Sequence, residues 1–183
     1  MKTNTENAVS PVVGVMLMLV VVIIIAAIVS AFAGGAVSGV KKVPQATITG
    51  KFSISDGLQI IHSGGDGLAT TEIVFIIRDG PMFGPNLEQK TAQVLNKSVI
   101  SDVNGQFLDR GDGTSSVTAF KSGDFLVISG VNATCSVLQP GVYASGITSN
   151  CISITDNVGK TFSLETSDNR GNLISKSDVI ISP

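Results

Sequence analysis

Cys135 and Cys151 are the only cysteines in the 183-residue chain, and both lie beyond its long apolar segment. An even count in a chain exported to an oxidising exterior points to one disulfide. Closing the loop between them would stabilise the fold by about 3 kcal/mol on a chain-entropy basis. The loop is rich in Gly, Ser and Thr, which makes such a staple useful. Two cysteines and a distant His62 do not have the spacing of a metal site. Asp102, Asn104, Asp109 and Asp112 carry oxygens that suit calcium, but not at the spacing of a calcium-binding loop. Val158-Gly159-Lys160-Thr161 echoes the end of a phosphate-binding loop. That motif needs a glycine at position 154, which is Ile154, and a helix afterwards, where a strand pattern follows. Arg110-Gly111-Asp112 sits inside Asp109–Gly113 and reads as a tight turn. His62 reads as a strand-end residue, without a nucleophile partner.

Two sequons, Asn96-Lys97-Ser98 and Asn132-Ala133-Thr134, make Asn96 and Asn132 candidate glycosylation acceptors on surface loops. With 12 basic and 14 acidic residues the formal charge is −2. That excludes a basic nucleic-acid binder. The reading is therefore of no catalytic, cofactor-binding or metal-binding residues, and of a protein that is not an enzyme.

The elements that position these residues fall into two parts. From Ala8 to Val40 there is no charged side chain. An uncharged run of roughly 18 residues already qualifies as a membrane-spanning helix, and a helix apolar all round must be buried in lipid or protein. Ser10 can cap it through a free backbone N–H. Pro11 suits the first helical position. Gly34-Gly35 and Gly39 weaken or end it. Ala26, Ser30 and Gly34 are spaced by four, as are Ala27, Ala31 and Gly35. Two adjacent ridges of small residues let neighbouring helices approach closely.

Three targeting readings compete. Ala31-Phe32-Ala33 supplies an A-x-A site, but the apolar core before it is too long for a conventional signal peptide. A plain anchor is the second reading, in which Lys41-Lys42 would pull the C-terminal side toward the cytoplasm. The third rests on the short polar leader that precedes the helix. Asn7-Ala8-Val9-Ser10-Pro11-Val12-Val13-Gly14-Val15-Met16-Leu17-Met18 resembles the start of archaeal type IV pilin precursors, over about Ala8 to Gly35. The resemblance implies cleavage by a prepilin-type peptidase between Ala8 and Val9, with Ser10, Pro11 and Gly14 in the recognition region. Asn7 is neutral where the family often carries charge, and Val13 stands where bacterial pilins have an acid.

From Val43 the composition changes. Gly, Ser, Thr, Asn and Asp punctuate short alternating apolar runs, the pattern of an antiparallel β domain. Strands are predicted at 46–53, 58–62, 72–78, 92–100, 115–120, 125–130, 152–155, 161–166 and 172–181. Asp168-Asn169-Arg170-Gly171-Asn172 predicts a hairpin turn. Pro81 to Asp112 reads as a variable insertion. Leu58–Leu68, with Gly64-Gly65-Asp66, looks like the strand and loop that follow the helix in the archaeal family, as do Phe120–Asp124 and the final hairpin.

The expected class is α+β: a long N-terminal hydrophobic helix, then an antiparallel, immunoglobulin-like β-sandwich head. The expected organisation is a leader at 1–8, a stem at 9–42 and an extracellular domain at 43–183. The resemblance implies a structural filament subunit that self-assembles through its helix. Its partners would be the prepilin peptidase, the pilus assembly machinery and, before assembly, the membrane, with no nucleic acid and no cofactor. The alternatives are an archaellin-type subunit, a non-assembling membrane-anchored surface protein, or a secreted β-domain enzyme or binding protein cleaved after Ala33.

Overall fold

The computed structural model describes residues 11–33, 42–84, 91–110, 114–138 and 151–183. The chain divides into two units, Met1–Lys42 and Val43–Pro183.

The first unit contains helix α1 (Pro11–Ala33). It begins at a proline, whose missing N–H and fixed φ suit a first turn. Val20 to Ile25 are all β-branched, a composition that forms helix weakly in water. In an apolar medium the backbone has only itself to bond to, and helix becomes the favoured answer. None of the α1 residues is buried.

The second unit is a β-rich head. Its strands are β1 (Ala46–Ser53), β2 (Gly57–Gly65), β3 (Leu68–Ala69), β4 (Ile73–Asp79), β5 (Gln93–Val94), β6 (Ser101–Asp102), β7 (Ala119–Phe120), β8 (Phe125–Ser129), β9 (Thr161–Asp168) and β10 (Leu173–Ser182). A short helix, α2 (Cys135–Leu138), precedes the second cysteine. Eight strands form one sheet in the order β5-β4-β9-β10-β1-β2-β8-β6, and β3 pairs with β7 separately. All pairings are antiparallel except β1 with β10.

The parallel β1–β10 ladder runs only through Phe52↔Ile181 and Ser53↔Ser182. Both strands carry register shifts at their other ends, between Thr47 and Ile48 and between Leu173 and Ser175. There a side chain replaces the ladder: Ser175 Oγ accepts the Ile48 N–H at 2.9 Å and donates to the Ile48 carbonyl at 3.2 Å. The strands are kept together while their backbones part.

The core is apolar and built by alternation. Ile48 and Phe52 of β1, Ile60 of β2, Ile73, Phe75 and Ile77 of β4, and Phe162 and Leu164 of β9 are all buried. Phe52 meets Phe162 edge-on at 5.8 Å, and Phe75 meets Phe120 at 6.3 Å. Gly50 marks a close approach of β1 to β10, since a Cβ there would lie 2.6 Å from Val179 Cγ2. Gly57 closes the β1–β2 hairpin at φ +94°, and a Cβ there would lie 2.0 Å from the Ile128 carbonyl oxygen.

The expected α+β class is observed. The finer expectation of an immunoglobulin-like pair of sheets meets a different hydrogen-bonding pattern, because the ladder continues through β10 and β1. Strands β1, β2, β4, β8, β9 and β10 fall within a few residues of their predicted bounds. Three predictions need correction. The 92–100 run becomes the two-residue β5 followed by a 3₁₀ turn at Lys97–Val99. Asn96 explains the break, since its side chain accepts the Ser98 N–H at 2.9 Å and caps the turn. The 115–120 run keeps only β7. The 152–155 run is a turn leading into a 3₁₀ turn at Thr155–Asn157, fixed by Asn157 Nδ2 donating to the Cys151 carbonyl at 2.6 Å. The segment read as an insertion supplies β5 and β6, the two edges of the sheet.

Candidate functional site

The candidate site is α1 itself. Ala26, Ala27, Ser30 and Ala31 all lie on it and are exposed. Helical spacing places 26 with 30 and 27 with 31 in two adjacent rows. Large apolar side chains complete the surface, among them Ile23 at 66% and Phe32 at 67% exposure. The helix is 23 residues long, about 35 Å at 1.5 Å per residue. That matches the hydrocarbon thickness of about 30 Å with a small excess. Pro11 is its first residue, and Gly14 has no heavy atom within 4 Å of an added Cβ. Ala8, Val9, Ser10, Gly34 and Gly35 lie outside the described residues.

In the head the two cysteines meet. Cys135 and Cys151 form a disulfide with a Cα–Cα distance of 5.3 Å. Cys151 is buried, so the bond anchors the C-terminal end of its loop in the core. Asn96 is exposed, while Asn132 is half-buried in the turn after β8. His62 is not a strand-end residue. It lies inside β2, fully buried, with Nε2 2.9 Å from the Asp66 carbonyl and its ring edge-on to Phe120 at 5.1 Å. Ser63, Gly64 and Gly65 extend the strand past it.

Asp102 is a turn cap. Its Oδ1 accepts the N–H groups of Asn104 at 2.9 Å and Gln106 at 2.8 Å. Asp112 lies outside the described residues. Among the described residues no three His, Cys, Asp or Glu side chains converge to hold a metal. Thr161 opens β9, so a strand follows Gly159-Lys160 where a phosphate-binding loop needs a helix. Arg110 N–H bonds to the Thr114 carbonyl at 3.1 Å, flanking the proposed turn. An open cleft of about 660 Å³ lies where β1 and β10 part. Its lining, which includes Pro44, Gln45, Thr47 and Leu173, contains no acidic or basic side chain.

Two polar features were not legible as sites in the sequence. Glu165 binds Arg78 Nε at 2.8 Å and Lys176 Nζ at 3.6 Å across three adjacent strands. Their adjacency depends on pairing between distant segments. Asp79 is fully buried, and neither carboxyl oxygen has a hydrogen-bond partner. The only trace in the sequence is an acid at the core-facing position of an alternating run.

Residues 7–48 match the family model of the archaeal type IV pilin N-terminal domain. The chain carries an archaeal type IV pilin N-terminal domain. The match takes in all of α1 and reaches Ile48 in β1, so the pilin domain ends just inside the head. No curated protein matches the chain. The pilin domain and an apolar, unburied helix fit the expectation of a type IV pilin subunit.

Proposed function

We propose that this chain is the structural subunit of an archaeal type IV pilus-like filament, used in adhesion or surface interaction. The observation that carries the reading is α1: 23 residues, apolar on every side, none of them buried, within the matched pilin domain. Such a surface needs an apolar partner. Lipid supplies it in the precursor, and copies of the same helix supply it in the filament. Transfer between them trades lipid contact for close helix packing, to which the rows through Ala26, Ala27, Ser30 and Ala31 are suited.

In this scheme the prepilin peptidase cuts between Ala8 and Val9, within a recognition region of Ser10, Pro11 and Gly14. The assembly machinery then withdraws the helix from the membrane, and the filament stands at the cell surface. The head, stapled by Cys135–Cys151, forms the outer surface, with Asn96 and Asn132 as glycan acceptors. The role is assembly, not catalysis.

The test is the N-terminal residue of the mature protein, read by mass spectrometry of a sheared cell-surface fraction. Val9 is the expected start. A start at Gly34 would remove α1 and leave a secreted β domain. An intact Met1, found only in membranes, would make the protein a simple anchor. Either of the last two results overturns the proposal.

A further inference from the structure

On β4, inward and outward residues alternate, and the inward row runs Ile73, Phe75, Ile77, Asp79. A carboxyl group therefore occupies the fourth place in an apolar row. It stands opposite Phe162 of β9. Two bonds close the chain over this position: Asp79 N–H donates to Thr91 Oγ1 at 3.0 Å, and Arg78 Nη1 donates to the Thr91 carbonyl at 2.8 Å. Thr91 is fully buried. It lies just before β5, which holds the β4 edge through only two residue pairs, Ile76↔Val94 and Ile77↔Gln93.

We propose that Asp79 and Thr91 form a proton-operated latch on the edge of the sheet. It is closed while the Asp79 carboxyl is neutral and opened when the carboxylate must be hydrated. A buried carboxylate without donors is strongly disfavoured, whereas the neutral acid is tolerated in an apolar row. Burial accordingly pushes Asp79 from the ordinary 3.8 up to about 6.

Among the described residues no opposite charge offsets this burial. Arg78 points to the other face, bound to Glu165 and to the Thr91 carbonyl. Lys160, just before β9, donates to Asn157 Oδ1 at 2.6 Å and stands 4.9 Å over the Phe83 ring. The 3₁₀ turn Pro81–Phe83 and β5 carry no titratable side chain. Since the closed state binds the proton more tightly than the open one, its advantage is complete below about pH 4. It is progressively lost as pH rises through about 6. Opening would bare β4 backbone at Arg78 and Asp79, and an unpaired strand edge is a surface on which another strand can pair.

The test is residue-resolved amide hydrogen exchange on the full chain in detergent micelles, with Leu164 in β9 as the internal reference. In the wild type the protection factor at the Asp79 amide should fall about tenfold between pH 5 and pH 7.5 while Leu164 holds. In Asp79→Asn it should stay level. Parallel profiles in the two proteins, or an equal fall at Leu164, would overturn the latch. Thr91→Val is the second variant. It should lower protection at Asp79 already at pH 5, and unchanged protection there would remove Thr91 from the device and overturn it.

Discussion

Helix α1 and strand β9 stand at opposite extremes of burial within the chain. In α1 every side chain is exposed within the chain, so its burial must come from outside. In β9 the residues from Phe162 to Leu164 and from Thr166 to Asp168 are all buried, by β10 across the Asp168–Asn172 turn and by β4, which lies far away in sequence. In lipid a uniform apolar run tolerates exchange of one aliphatic for another, because lipid sets few exact shapes. A strand enclosed on both faces is fitted residue by residue, and each position has its own partner.

The sharpest way to break this comparison is to damage the head and watch the helix. Phe162→Ala removes a ring packed edge-on against Phe52 and opens a cavity. It should cost the head about 3–5 kcal/mol. Chemical denaturation followed by a head-specific probe reads the loss, and membrane retention should be unchanged. A loss below about 1 kcal/mol would mean that the β9 core is far more plastic than described.

The reciprocal experiment places a charge in the helix. Ile24→Asp, near the middle of α1, should raise the cost of membrane insertion by about 2.5–3.5 kcal/mol. The thermal midpoint of the head should not move. Carbonate extraction and calorimetry on the same preparation separate the two quantities. A shifted midpoint would show that the units are energetically coupled.

A gentler change sharpens the distinction within α1. Replacing Ala27 and Ala31 with Leu keeps the helix apolar, so insertion and head stability should stay unchanged. It fills one row of small residues, so filament yield after shearing should drop. Wild-type yield would remove the close-packing role from that row.

Much of this was legible in one dimension. The apolar run, the proline at its start and the pilin-like segment around Ala8 to Met18 are local features, and local features survive without tertiary context. The Asp168–Asn172 turn is legible for the same reason. The Asp168 carboxylate accepts from Asn172 Nδ2 at 2.8 Å, and from the N–H groups of Asn172 at 2.8 Å and Arg170 at 2.9 Å. Those bonds, led by the Asn172 side chain, hold Asp168 below its usual range. Errors gathered where a short polar side chain redirected the backbone. Asn96 and Asn157 both ended runs whose alternation suggested strand, because side-chain bonds to the backbone compete with the ladder.

The sequence alone determined that there is a spanning-length helix, that it cannot rest in water, and that a β domain with a pair of cysteines follows it. Periodicity and length carry that information, since hydrophobic burial depends on residue type before it depends on position. Only the tertiary structure decided that a presumed insertion furnishes both edges of the sheet and that Ser175 bridges the parting of β1 and β10. It also decided that Asp79 is buried without a partner. Those outcomes depend on which distant backbones meet, and strand pairing across the chain is settled by the whole fold at once.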